Sequence, residues 1–345
     1  MEEMTVQNIE LIDKLRIDPL AEINEPPTYC LINGKPSLTD GNFSLIYGKK
    51  KAGKTFLLGG VIASTINNIT QLDVVEGCLP EDKNIILYFD TEQSQYHANR
   101  SIKRICMLAG NPNPNNLLAY GLRPLTPKER LAFIKAVIEM TPNVGVVAID
   151  GIRDLLTKGI NDEQEATELT SLFLKWSYDL HLHIILLLHQ NKGDLNARGH
   201  IGSEVVNKAE TVISVTREDK SNTFKVVCED SRDIPFEDFG FTITDEGLIT
   251  GCNIPETKQR KITDPQFIPS ERHLDALSAL FEGGLEYTYD ELKTNLKQEF
   301  NIGRDASEKF IAYYKEKEWI TNEKRGVKTM YKFNDRANSF FYHAN

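Results

Sequence analysis

The stretch that most constrains this chain is Gly48-Lys49-Lys50-Lys51-Ala52-Gly53-Lys54-Thr55, set between the apolar run Phe43 to Tyr47 and the apolar segment Phe56 to Ile62. The order is strand, glycine loop, helix. It fits G-x-x-x-x-G-K-[ST], in which backbone N–H groups and a helix N-terminus cradle a polyphosphate, a lysine reaches the β and γ phosphates, and a hydroxyl holds Mg2+. Lys54 and Thr55 take the last two roles, and Gly48, Lys51, Ala52, Gly53 and Phe56 complete the cradle. The competing reading, a lysine-rich turn, does not explain the strand before it and the helix after it. ATP and Mg2+ are the cofactors the pattern implies.

Three further apolar runs end in residues able to do chemistry. Asn84 to Phe89 leads into Asp90-Thr91-Glu92, Val144 to Ile149 into Asp150, and His183 to Leu188 into His189-Gln190-Asn191-Lys192. Runs without polar alternation are strands covered on both faces, and open α/β sheets place their chemistry at the carboxyl ends of such strands. An apolar strand ending in Asp downstream of a phosphate loop is the Walker B pattern, which makes Asp150 a second candidate for the Mg2+ site. Helices are expected over 55–67, 94–108, 127–140 (with Thr126 as N-cap) and 162–180. Segments 211–215 and 223–228 read as a hairpin, followed by a strand near 239–244. The expected class is therefore α/β, a mostly parallel sheet flanked by helices with an antiparallel extension. Residues 193–202 read as a polar loop.

With 345 residues, the chain has room for this core and one small extra domain. The formal charge of -10 argues against wholesale coating of nucleic acid, so any such contact has to be local. The cysteines are scattered, without zinc or disulfide spacing. The acidic N-terminus and the lack of a membrane-length apolar run make a signal peptide or membrane span unexpected, and a cytoplasmic location expected. Residues 1–42 read as an N-terminal arm and lead-in, 43–250 as the main domain, 251–268 as a linker containing Pro255 and Pro265, and 269–345 as a small domain. That last part carries three short helical patterns and then a basic, glycine-tipped hairpin, the pattern of a winged helix. Arg304 and Lys309 fall on its third helix, and Lys324, Arg325 and Lys328 in the wing. The domain is nearly neutral, which leaves duplex DNA and a protein surface both open as its target.

Residues 26–250 resemble the RecA-like ATPases, most closely the RepA-like branch of hexameric helicases carried by plasmids and other mobile elements. The resemblance rests on Gly48 to Thr55, Asp90-Thr91-Glu92, Asp150, His189 to Gly193, and the Ala197-Arg198-Gly199 through Gly202-Ser203 stretch, in the family's order. It implies that 43–250 is a RecA-like ATPase domain, that Glu92 orients the attacking water, and that Gln190 senses the γ-phosphate. It also implies that Arg232 acts as an arginine finger on a neighbouring subunit's nucleotide. The family's usual lysine is Asp230 here, and Thr211 stands where the RepA-like branch has its own finger, which keeps Arg217 as the alternative. A homo-hexamer or other ring would place Lys192, Arg198 and His200 in a channel along single-stranded DNA. The function implied is an ATP-dependent, ring-forming DNA motor or helicase of a mobile element, with replication or mobilisation proteins as partners and no membrane. The alternative is an ATP-regulated DNA-binding accessory factor or helicase loader that does not unwind.

Overall fold

The computed structural model describes residues 12, 15–21, 24–190, 197, 199–218, 222–254, 265, 270–300, 302–326 and 328–334. The chain divides into two compact units, Met1–Ile254 and Pro255–Asn345.

The first unit is built on a nine-stranded sheet. Its strands in chain order are β1 (Phe43–Gly48), β2 (Ile85–Asp90), β3 (Leu117–Gly121), β4 (Val144–Asp150), β5 (His183–His189), β6 (Thr211–Arg217), β7 (Thr223–Ser231), β8 (Phe239–Ile243) and β9 (Ile249–Cys252). They lie in the order β9-β8-β7-β6-β1-β5-β4-β2-β3. From β6 to β3 the pairing is parallel, and from β6 to β9 it is antiparallel. This is the expected α/β class, with its antiparallel extension one strand longer than expected.

The helices of this unit are α1 (Lys54–Ile66), α2 (Gln95–Leu108), α3 (Pro127–Met140), α4 (Glu163–Leu180) and α5 (Gly199–Lys208). Alternate residues of each central strand feed two different cores. Ile46, Ile86, Val146, Ile185 and Ile213 pack with α1 residues Leu57, Leu58, Val61 and Ile62. Leu45, Leu87, Val147 and Ile184 pack with Ile134, Phe173, Trp176 and Ile201 from α3, α4 and α5. Each such side chain stabilises the fold by about 1.5–3 kcal/mol when fully buried. The layering is what makes the central strands read as unbroken apolar runs. Helix α3 starts as expected: Thr126 and Glu129 form a reciprocal capping box, with Pro127 at the first turn.

One expectation is filled in and another is corrected. The lead-in before residue 42 contains a hairpin, Thr28–Ile32 and Lys35–Thr39, turning through Asn33 and Gly34 at φ 49 and 69. Both residues lie in the left-handed region that a two-residue turn needs, which is why Asn-Gly stands there. Thr70–Gln71 and Val75–Gly77 extend this hairpin to a four-stranded sheet. Secondly, Gly199 to Gly202 opens α5 instead of ending a loop. A Cβ on Gly202 would meet the Ala197 carbonyl carbon at 2.5 Å, so close packing, not turn formation, places that glycine.

The second unit carries α6 (Ser270–Leu280), β10 (Tyr287–Thr288), α7 (Tyr289–Glu299), α8 (Arg304–Glu316), β11 (Ile320–Arg325) and β12 (Lys328–Phe333). The strands pair in the order β10-β12-β11. Helix, short strand, helix, helix and hairpin matches the element order of a winged helix. Its core includes Leu277, Leu292, Phe310, Tyr314 and Trp319. Buried His273 holds the centre of that aromatic cluster, within hydrogen-bond distance of Tyr314 Oη at 2.8 Å. Among the described residues no helix is long and apolar enough to cross a membrane.

Candidate functional site

The phosphate loop runs from the end of β1 into α1, and two of its glycines are sterically required. Gly53 sits at φ 91, and a Cβ there would lie 2.7 Å from the Phe224 ring. Phe224 and Phe241 stack at 5.0 Å beneath it. A Cβ on Gly48 would lie 2.3 Å from Val215 O, on the neighbouring strand β6. Gly48→Ala is therefore expected to force β6 away and destabilise the chain by about 1–3 kcal/mol, measurable as a lower denaturant midpoint.

Helix α1 has no side-chain cap and no acidic residue in its first turn. Its leading N–H groups and its dipole thus point at the loop, the arrangement that receives anions. The loop opens on a cleft of about 1100 Å³ lined by Lys49 to Phe56, Glu92, Asp150, His189 and Gln190, together with Arg104, Arg217 and Phe224. The parallel register gathers these residues. Asp90 lies opposite Asp150 on β2 and β4, and Gly48 opposite His189 on β1 and β5.

Lys54 is 8% exposed, and its Nζ donates to Gly48 O at 3.1 Å and Lys49 O at 3.0 Å. Burial pulls it down to about 8, partly offset by the charges of Asp150 and Glu92. Thr55 Oγ1 donates to Asp150 Oδ2 at 3.0 Å, so the two candidate Mg2+ ligands already touch. The same oxygen accepts from the buried Tyr88 hydroxyl at 3.0 Å. Burial, and then the Asp90 carboxylate, push Asp150 up to about 6. Asp90 in turn clamps the turn after β2: Oδ1 accepts from the backbone N–H groups of Glu92 at 3.0 Å and Gln93 at 2.7 Å, and Oδ2 from Gln93 Nε2 at 2.7 Å. Glu92 is thereby aimed from a fixed backbone. Its carboxylate meets His189 Nε2 at 3.5 Å, and that bond holds it below the usual carboxylate range.

Gln190 is buried, its backbone N–H donates to Gly48 O at 3.0 Å, and it bridges to Ala197. Phe56 carries the Arg104 guanidinium over its ring at 4.1 Å. Lys51 is exposed, at φ 64 in the loop.

Other candidates lie elsewhere. Arg232 donates to Lys208 O at 3.1 Å and Ala209 O at 3.4 Å, capping the end of α5. Arg217 lines the cleft of its own chain. Thr211 is buried at the start of β6. His200 is exposed in the first turn of α5, whereas Lys192 and Arg198 lie outside the described residues. In the second unit Lys309, Lys324 and Lys328 are exposed. Arg304 faces Glu308 at 3.6 Å, and Arg325 pairs with Glu286 at 3.0 Å and Glu323 at 3.3 Å.

Three residues of the site escaped the sequence reading. His189 was visible only as part of a motif, with no role attached to its ring. Tyr88 read as core, although a polar-tipped aromatic two positions before a strand-end Asp is a usable signal. Arg104 lies within the helix expected over 94–108 and had no role attached to it.

A phosphate loop heading a buried helix, with a hydroxyl and a carboxylate in contact behind it, defines a P-loop nucleotide-binding fold of the ATPase class. The family described as an AAA domain matches residues 11–194, more than half of the chain, and the chain belongs to that family. No curated protein matches it. Among solved structures, the crystal structure of the RadB recombinase is similar over 64% of this chain and 94% of its own, with a TM-score of 0.44 and 15% sequence identity.

Proposed function

We propose that the chain hydrolyses ATP at subunit interfaces as a ring-forming DNA motor of the RepA-like kind, serving a mobile element. The observation that carries the hydrolytic part is the convergence of Lys54, Thr55, Asp150 and Glu92 on one cleft, with Glu92 aimed by the Asp90 clamp. Glu92 orients and polarises a water in line with the terminal phosphate, Lys54 stabilises the charge on that phosphate, and Gln190 responds to its loss.

The donor chemistry fits Mg2+: a hydroxyl and a carboxylate, both hard oxygen ligands, lie within 3.0 Å of each other. Among the described residues no group of three or more His, Cys, Asp or Glu is placed to hold a metal. Thr55 and Asp150 would therefore hold the ion together with nucleotide oxygens and water, as Mg2+ prefers. Bound there, it would neutralise charge on the β and γ phosphates.

The DNA part is supported by the family resemblance and by the winged-helix arrangement with its exposed Lys309, Lys324 and Lys328. Single-stranded DNA is expected to stimulate ATP turnover about tenfold, with binding that weakens steeply as salt rises. Turnover indifferent to DNA at low salt would remove the motor reading. A second reading, an ATP-regulated accessory factor or helicase loader, is favoured by the carboxylate partners of Arg304 and Arg325 and by the α5 cap that holds Arg232. Strand displacement on a forked duplex separates the two.

A further inference from the structure

The residue between the loop lysine and the strand-end glutamate is His189, and its surroundings give it a task. Pairing of β5 with β1 sets it beside Gly48, the first residue of the phosphate loop. Its Nδ1 is 3.2 Å from Lys54 Nζ and its Nε2 is 3.5 Å from Glu92 Oε2. An ammonium can only donate, so Nδ1 accepts, the ring proton sits on Nε2, and Nε2–H donates to the carboxylate. With Gly48 O at 3.1 Å and Lys49 O at 3.0 Å, all three ammonium protons have acceptors within the protein. A phosphate oxygen that binds Lys54 must take over at least one of them.

Two of the three acceptors are backbone carbonyls fixed in the loop. The third is an imidazole free to turn about its side-chain torsions, on a side chain 33% exposed. It is the acceptor most easily displaced. The carboxylate at its other end belongs to a side chain 58% exposed, which leaves it room to follow.

We propose that His189 is a positioning residue that couples arrival of a terminal phosphate at Lys54 to the placement of the Glu92 carboxylate. This rests on the reading of Lys54 and Glu92 as the phosphate-binding and water-orienting groups. When a phosphate oxygen replaces Nδ1 as the acceptor of the Lys54 N–H, the ring is released and carries the Glu92 contact with it. The carboxylate then takes its working position only when a γ-phosphate is present. The link differs from the Gln190 sensor, since it runs to the carboxylate and not into the segment after β5.

The test is steady-state ATP hydrolysis and equilibrium binding of a fluorescent ATP analogue by the full chain. The variants are His189→Ala, His189→Asn, Glu92→Gln, Lys54→Ala and the double variant His189→Ala with Glu92→Gln. His189→Ala is expected to lower kcat by about 10- to 100-fold with analogue affinity changed less than about threefold. The shorter His189→Asn offers Lys54 a polar partner but does not reach Glu92, and its kcat is expected to fall equally. In the Glu92→Gln background, His189→Ala is expected to change turnover less than about twofold, because the two act as one unit. Wild-type turnover in His189→Asn, or effects of His189→Ala and Glu92→Gln that multiply, would overturn the coupling alone. Unchanged turnover in both Glu92→Gln and Lys54→Ala would overturn the functional reading together with it.

Discussion

Glu92→Gln is expected to lower ATP turnover by about 100-fold or more while leaving nucleotide affinity within about threefold of wild type. The split follows from where the side chain sits. Its backbone is fixed by Asp90, and its carboxylate lies across the cleft from the loop that binds phosphate. An amide of the same shape still accepts from His189 Nε2–H, so the local hydrogen bonding survives and only the basicity is lost. Because the His189 bond holds Glu92 below the usual carboxylate range, the group is ionised at neutral pH. Single-turnover hydrolysis with an independent binding titration makes the measurement. A loss confined to affinity would reassign Glu92 to nucleotide binding.

The same clamp yields a graded control. Removing Asp90 would free the backbone N–H groups of Glu92 and Gln93 from their acceptor and loosen the turn, although Glu92 itself is untouched. In the proposed reaction Glu92 would have its chemistry from its own carboxylate and its aim from a neighbour two residues earlier.

What was legible in the sequence follows from how each feature is encoded. Strands β1, β2, β4 and β5 were legible because burial on both faces leaves apolar runs, and because the glycine loop after β1 and the polar residues ending β2, β4 and β5 mark the cleft side of the sheet. The start of α3 was legible because Thr126 and Pro127 are local signals. The hairpin over 28–39 was not, since strands of five residues, one containing Pro36, carry too little periodicity to separate from a lead-in. Helix α5 was hidden by Gly199 and Gly202, which argue for a loop in sequence and serve close packing in the fold. His189 was hidden for a different reason. Its partner Lys54 lies 135 residues away in sequence, and only the β1 to β5 register brings them together. The contact between Thr55 and Asp150 spans 95 residues, but each belongs to a motif whose chemistry names the other.

Lys54→Ala is expected to weaken nucleotide binding by about 10- to 150-fold, the range for losing hydrogen bonds to a charged group, and to reduce turnover further because the charge it supplies grows in importance in the transition state. The pH dependence gives this residue a signature of its own. Burial lowers Lys54 to about 8, so the site without phosphate gives up the proton as pH rises through that value. A phosphate oxygen beside the ammonium favours the charged form, so the complex keeps the proton to higher pH. Binding above pH 8 therefore takes up a proton, and affinity falls by up to about tenfold per pH unit there while staying level below it. The exposed Lys49, Lys50 and Lys51 add general attraction, which salt screens, whereas the 8% exposed Lys54 is shielded from it. Titrating a fluorescent ATP analogue from about pH 7 to 10 at constant ionic strength makes the comparison: the wild-type curve bends near 8, and the Lys54→Ala curve does not. A bend that survives the substitution would move the proton to another group and remove Lys54 from the phosphate contact.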